Sequence, residues 1–408
     1  MKNIYSFILG HSPELSLVEI KSVLNFKNIS FNIFDVDEKV LILEIDNELD
    51  VESLNYTLGG IIKIGKLEFF IDQLNNEKNL VSSFIEIIKR NCGLENKIKF
   101  AFSIYNSDQF LQKFIFKLSL AIKKNLKLEK ISSRVVTSKE ADLSAVIVEK
   151  EHLIVAGFDM QVLKIKKRYY FFRTLAVQDF TRFNALDYDR PRVDSKSGMM
   201  PPKLAKIMLN LVDNKKVFLD PFCGSGTILL MAAELEFQKI IGSDISEKAV
   251  QDSQENIKWY QERFDKKIDN YIFRSDVKNL LEEGIEKDSI DSIVSEGYLG
   301  QPLRGNEDFT FIQNQISVLS DLYLESFKIF KSLLKNKGCV IITLPIFVID
   351  NSSPHSRSGK AGEKHLEIIK EIENIGFKEE LLLEDAKSLI YKREKQKVYR
   401  NILKFIKI

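Results

Sequence analysis

Between Val217 and Leu230 the chain reads Val-Phe-Leu-Asp-Pro-Phe-Cys-Gly-Ser-Gly-Thr-Ile-Leu-Leu: an apolar strand, a turn of small residues, then an apolar helix. A strand that feeds a helix in this way is the repeating unit of a doubly wound parallel sheet, whose ligands sit beyond the carboxyl ends of the strands. Glycines let a ligand approach the backbone without a Cβ clash, and free N–H groups at the helix start receive its polar atoms. Two common nucleotide-binding readings fail on the residues themselves. A phosphate loop needs Lys after the second glycine, where Thr227 and Ile228 stand; a dinucleotide fingerprint needs a third glycine, where Leu229 stands.

What remains, Asp220-Pro221-Phe222-Cys223-Gly224-Ser225-Gly226-Thr227, is similar to the cofactor turn of methyltransferases that modify amino groups of nucleic-acid bases. The resemblance implies S-adenosylmethionine as cofactor, held by Asp220, Pro221, Cys223, Gly224, Gly226 and Thr227. The next strand, Lys239–Asp244, ends in an acid placed to accept ribose hydroxyls, as the matching acid does in dinucleotide folds. Taken alone, Asp244 reads equally as the cap of the following helix. A third strand closes on Asp276, which in the resembled enzymes contacts the adenine amino group.

The segment Ser292-Ile-Val-Ser-Glu-Gly-Tyr-Leu-Gly-Gln-Pro-Leu303 occupies the place where such enzymes carry Asp/Asn-Pro-Pro-Tyr. An exocyclic base amine is a weak nucleophile, because its lone pair is delocalised into the ring. A carboxylate or amide and a main-chain carbonyl accept its N–H bonds and aim the lone pair at the methyl group, while the aromatic ring stacks on the base. Here Ser295 stands in place of the acid, Glu296 and Gly297 in place of the prolines, and Tyr298 is retained. The expected catalytic residues are therefore Glu296, Ser295 and Tyr298, with Glu296 swinging in as the acceptor, or else the site is altered.

A chain of 408 residues, 44% hydrophobic and 29% charged, is long enough for two or three globular domains. No run approaches the roughly 18 to 20 apolar residues of a membrane span. The opening Met1–Gly10 reads as a first strand rather than a signal peptide, which makes a cytoplasmic location the expectation. Cys92, Cys223 and Cys339 and the four histidines show no ligand spacing, so no metal site is expected. The net charge of +2 does not announce a nucleic-acid binder. Local charge says more: Lys164–Arg173 packs cations around Tyr169, Tyr170, Phe171 and Phe172, and Lys392, Arg393, Lys395, Lys397 and Arg400 repeat the theme. Such clusters contact phosphates and stack on bases, or simply form a solvated face.

Strands and helices alternate over residues 1–165 in the manner of small α+β layers. Residues 169–194 lack a clean period and read as an interdomain connection; a helical stripe over Gly198–Leu211 follows, and from there to about Leu344 strands and helices alternate as in a doubly wound parallel sheet.

Further segments extend the resemblance along the chain: Leu58–Gly65, Gln178-Asp179-Phe180, Asp189-Arg190-Pro191, Gly198–Ala205 and Tyr391–Arg400. In order, they resemble the THUMP-domain tRNA guanosine-10 N2-methyltransferases. That resemblance implies a ferredoxin-like α+β domain over 1–70, a THUMP-like RNA-binding domain over 71–165, a linker over 166–195 and a Rossmann-like class I methyltransferase domain over 196–408. It implies a tRNA substrate methylated on a guanosine N2, with Lys166, Lys167, Arg168 and Arg173 on the RNA and Pro201 beside the cofactor. Some members work with a small activator subunit, which the sequence neither requires nor excludes, and the oligomeric state is left open. A ribosomal RNA or DNA base amino-methyltransferase, and a tRNA-binding protein without catalysis, are the alternatives.

Overall fold

A computed structural model describes residues 3–74, 77–93, 97–106, 108–193, 200–303, 307, 309–349, 362–383, 389–393 and 396–408. The chain separates into two compact units, one of residues 1–17 and 27–181, the other of residues 18–26 and 182–408.

The first unit is built on one eight-stranded sheet. Its elements in chain order are β1 (Asn3–Leu9), α1 (Pro13–Phe26, divided between the units), β2 (Phe31–Val36), β3 (Val40–Ile45), α2 (Val51–Thr57), β4 (Ile61–Ile71), α3 (Glu77–Asn91), β5 (Ile98–Tyr105), α4 (Gln109–Leu128), β6 (Ser133–Val135), α5 (Ala145–Lys150), β7 (Gly157–Ile165) and β8 (Arg168–Val177). The strand order is β2-β3-β1-β4-β8-β7-β5-β6. The antiparallel pairing of β4 with β8, from Lys63↔Val177 to Ile71↔Tyr169, makes one sheet of what the sequence divided near residue 70.

Residues 168–177, read from the sequence as part of a connection, are thus a central strand. The reason is burial on both faces. Phe171 packs into the cluster with Phe84, Phe100 and Ile115, while Tyr170 and Phe172 pack on the opposite face with Ile8, Val40 and Leu163. A strand covered on both sides shows no polar–apolar alternation, so its period is invisible.

A buried polar network crosses this sheet. The Lys63 ammonium on β4 reaches Asp159 Oδ2 on β7 at 3.0 Å and Ser103 Oγ on β5 at 2.8 Å. Thr174 Oγ1 on β8 donates to Asp159 at 2.6 Å, and Ser6 Oγ on β1 donates to Gln161 Oε1 at 2.7 Å. Both ions of the pair are fully buried. Such a pair is tolerated only because hydrogen bonds satisfy its remaining atoms.

The second unit begins with the short helix α6 (Phe180–Asn184), which straddles its boundary, followed by α7 (Pro202–Leu209). Then come β9 (Val217–Asp220), α8 (Thr227–Glu234), β10 (Lys239–Asp244), α9 (Glu247–Phe264), β11 (Asn270–Arg274), β12 (Ile290–Glu296), α10 (Phe309–Leu333) and β13 (Leu334–Ile349). The end of the chain adds β14 (Gly362–His365), α11 (Ile369–Ile375), β15 (Phe377–Glu380), β16 (Leu389–Tyr391) and β17 (Val398–Lys407). The main order is β11-β10-β9-β12-β13-β17-β15, with β9 to β13 parallel and β17 antiparallel between β13 and β15. Sequence order reverses between β9 and β12, which puts the crevice of a doubly wound sheet at their carboxyl ends. Leu219, Ile293, Val340, Phe327 and Phe405 are among the buried side chains of its core.

Candidate active site

The turn after β9 is set by backbone conformation. Gly224 (φ +52°) and Gly226 (φ +83°) are left-handed. A Cβ at Gly226 would also lie 2.9 Å from Ser253 Oγ, so glycine is required there twice over. Ser253 Oγ donates to the Gly224 carbonyl at 2.7 Å and Asn256 Nδ2 to the Ser225 carbonyl at 2.8 Å, so α9 grips the turn from behind. Sequence reading missed both residues. Polar positions recurring three apart on a helix signal them only once the turn is known to lie alongside.

Asp244, at the end of β10, accepts the Gly224 N–H at 3.0 Å on Oδ2 and the Ser246 N–H at 2.9 Å on Oδ1. Each oxygen keeps acceptor capacity for hydroxyl donors. Asp276 caps a single 3-10 turn by accepting the Lys278 N–H at 3.0 Å. The carboxyl ends of β9, β10, β11 and β12 surround a cleft of about 620 Å³.

Of the residues expected to hold a cofactor, Asp220, Pro221, Cys223, Gly224, Thr227, Asp244 and Asp276 line this cleft. Gly226 turns the chain behind it. Pro201 caps α7, and its neighbour Met200 is the lining residue. Thr227 accepts a 2.8 Å hydrogen bond from the buried Arg190, which fixes the start of α8. Cys223 is buried, and burial pushes its thiol well above the usual range, so it is a packing residue rather than a nucleophile. Carboxylates at Asp244 and Asp276, each followed by an apolar side chain on the cleft wall (Ile245, Val277), fit a nucleoside: acids for hydroxyls and an amino group, apolar surface for a flat ring.

The three expected catalytic residues part company at the end of β12. Ser295 is fully buried, and its hydroxyl donates to Asp220 Oδ1 at 2.6 Å instead of facing the cleft. Glu296 and Tyr298 line the cleft, and Tyr298 is half exposed. The Glu296 carboxylate is held by Nε of Arg400, a β17 residue that is only 3% exposed. Burial pushes the Glu296 carboxyl above its ordinary range, and the guanidinium of Arg400 pulls it back. Asp220, wholly buried, is pushed up to about 7 by desolvation, against the lowering effect of the Ser295 and Phe222 hydrogen bonds.

Gly297 packs directly on Tyr323 of α10. A Cβ there would lie 2.7 Å from Tyr323 Cζ and closer still to its hydroxyl. That hydroxyl donates to the Tyr298 carbonyl at 3.1 Å. The glycine thus lets a buried tyrosine hold the loop that carries Glu296 and Tyr298.

In the first unit, Lys166 and Lys167 stand exposed in the β7–β8 turn. Arg168 pairs with Asp72 and Arg173 with Glu68, at 2.8 and 2.9 Å. The aromatics between them are largely core, Phe171 and Phe172 wholly so, and not open to stacking on bases. Of the C-terminal cluster, Lys395 lies outside the described residues; Lys392 pairs with Glu363, and Arg393 lies over the Tyr391 ring. Helix α4, whose lysines the sequence reading did not single out, is the less compromised basic face. It holds no acid, and Lys113, Lys117, Lys123, Lys124 and Lys127 are exposed on it. Lys123, Lys124, Lys127 and Lys130 line an open hollow of about 560 Å³ with Ser132 and Ser133, and none of them forms an ion pair among the described residues.

These features define a Rossmann-like domain with a nucleoside-sized cleft at its switch point. Residues 212–405 match the methyltransferase domain family model, and residues 157–255 match a DNA methylase model. A tRNA (guanine(10)-N2)-dimethyltransferase of Methanothermobacter thermautotrophicus is 36% identical over 126 residues, 30% of this chain and 35% of that protein. One from Pyrococcus abyssi is 32% identical over 82 residues, 19% of this chain and 25% of that protein. The matched stretches therefore span about a third or less of these relatives. The crystal structure of TrmN from Thermus thermophilus shares the fold over 99% of this chain and all of that one, with TM-score 0.55 and 14% identity. A possible methylase from Clostridium difficile 630 does so over 99% and 98%, with TM-score 0.50 and 14% identity. Among the described residues no group of His, Cys, Asp and Glu is arranged to hold a metal, and no helix is long and apolar enough to cross a membrane.

Proposed function

We propose that the chain methylates the N2 amine of a guanosine in tRNA, with S-adenosylmethionine as the methyl donor. The observation that carries this reading is the cleft itself. A glycine turn and two acids suited to a nucleoside open on one side, and Glu296 and the half-exposed Tyr298 stand on the other. The tRNA and the guanine amine enter from the names of the relatives, which the site chemistry suits.

The cofactor, when bound, supplies an electrophilic methyl group on a sulfonium. The chain's own residues do the rest. Asp244 would accept the ribose hydroxyls and Asp276 the adenine amino group, and the turn at Gly224 would let the backbone lie close to the ligand. The Tyr298 ring stacks on an unstacked target base, and Glu296 accepts an N–H of its amine, which orients the lone pair. The exposed lysines of α4, with Lys166 and Lys167, offer phosphate contacts that fix the RNA without reading its sequence.

The test is incubation of the purified chain with methyl-labelled cofactor and an unmodified tRNA transcript, followed by nucleoside mass spectrometry. Label in N2-methylated guanosine is the expected result. Label in methyladenosine, or none in RNA under conditions where the cofactor binds, overturns the reading. In the same assay Glu296→Gln is expected to abolish transfer with cofactor affinity kept, and Asp244→Ala to weaken the cofactor.

A further inference from the structure

Glu296 carries a difficulty that the proposed function leaves unresolved. A carboxylate at the end of a buried strand accepts an N–H well only if it is ionised and held still, yet its surroundings disfavour charge. Among the described residues, Arg400 from β17 and Arg393 from the segment before it favour its charged form, while Asp220 from β9 and the Tyr323 hydroxyl from α10 lie close enough to feel that charge. Asp220 and Tyr323 bring no positive charge, and Arg393 acts only at a distance. Among the described residues, Arg400 alone forms a direct ion pair with Glu296, through Nε to Oε1. Its side chain is 4% exposed, against 18% for that of Glu296, and it does not line the cleft, so it reaches the acid from behind. The ladder fixes that approach. Glu296 pairs with Thr343 on β13, and Arg400 pairs with Pro345 on the same strand, so the register sets the arginine two residues beyond the acid along β13. A buried guanidinium–carboxylate contact costs desolvation on both sides, which makes it a weak device for stability and a suitable one for fixing a charge.

We propose that Arg400 is the positioning residue of this site, holding Glu296 charged and oriented at the end of β12 so that the acid serves in place of the one absent at position 295. The inference rests on the methyl-transfer reading above. It also explains how a Ser-Glu-Gly-Tyr strand end works: the acceptor moves one residue along the chain and gains its own cation from the C-terminal strand.

The test compares wild type with Arg400→Gln, Arg400→Lys and the double variant Arg400→Gln/Glu296→Gln. The first readout is the pH profile of kcat/KM for RNA methylation. Loss of the guanidinium is expected to move the acidic limb upward by about one pH unit, a tenfold loss of ionised acid on that limb. Cofactor Kd should stay within about twofold, Lys should rescue part of the rate, and the double variant, which no longer strands a buried carboxylate, should be at least as stable to urea as Arg400→Gln alone. The second readout needs no activity: the carboxyl ¹³C resonance of Glu296, assigned by its absence in Glu296→Gln, should titrate at higher pH in Arg400→Gln. An unshifted profile, or an unshifted resonance in a folded variant, overturns the proposal. Wild type that binds cofactor but methylates no RNA overturns the methyl-transfer reading instead, and the resonance still reports whether Arg400 sets the charge of Glu296.

Discussion

The Ser295 hydroxyl donates a 2.6 Å hydrogen bond to Asp220 Oδ1, so the last inward residue of β12 ties down the acid that opens the glycine turn after β9. Both side chains are buried, and the bond links the two strands that flank the crevice. Ser295→Ala removes the shorter of two donors to this buried oxygen and leaves it the Phe222 N–H at 3.2 Å. It is expected to lower stability by about 1–3 kcal/mol. Ser295→Asp places a second acid against Asp220 and is expected to destabilise more. Urea denaturation of the two variants checks the order; equal midpoints for wild type and Ser295→Ala would remove the bond from the account.

Asp220 gives a pH dependence with a definite sign. Its folded-state value, about 7, lies above its ordinary value of 3.8, so the folded chain holds this proton more tightly than the unfolded chain does. The group's contribution is therefore fully present below the ordinary value and is lost as pH rises toward 7, up to about 4 kcal/mol. Asp220→Asn cannot titrate and keeps an acceptor for Ser295. The stability difference, variant minus wild type, is expected to grow in favour of the variant between pH 4 and pH 7, measured by denaturation at a series of pH values.

Gly297→Ala sets a methyl group against the ring of a fully buried tyrosine. Overpacking of this kind costs about 1–3 kcal/mol, and relief by moving the loop would displace Glu296 and Tyr298. A fall in kcat larger than the fall in stability is expected, read from turnover and thermal unfolding of the same preparation. Tyr323→Phe, which keeps the ring and loses the hydrogen bond to Tyr298, should cost only about 1 kcal/mol.

The buried Lys63–Asp159 pair predicts an asymmetry in the first unit. Lys63→Met strands a buried carboxylate and is expected to cost about 3–5 kcal/mol. Lys63→Met combined with Asp159→Leu should recover much of that loss, since apolar replacement of a whole pair is often neutral. Chemical denaturation of both variants decides it; a double variant as unstable as the single one would show that Ser103 and Thr174 need the ions.

The turn from Asp220 to Thr227 and the acids at Asp244 and Asp276 were legible in the sequence, because local chemistry dictates them. Left-handed backbone asks for glycine, and an acid at a strand end beside such a turn is a short-range pattern. The strand Arg168–Val177 was not legible, because a strand buried on both faces has no alternation to read. The basic run around it looked like a nucleic-acid contact, yet its aromatics are mostly core and two of its arginines are paired with Glu68 and Asp72. Helix α4 was legible as a helix, but its basic face was not, since the missing acids matter only once its exposed face is known.

The sequence by itself determined the doubly wound sheet and the cleft at its switch point, together with the oddity of Ser-Glu-Gly-Tyr at the end of β12. Only the tertiary structure decided what that oddity means. Ser295 turns to Asp220, Gly297 makes room for Tyr323, and Glu296 meets Arg400, partners 75, 26 and 104 positions away along the chain. Sequence pattern reports forces between near neighbours, whereas the charge and orientation of a buried carboxylate are set by whichever strand packs behind it.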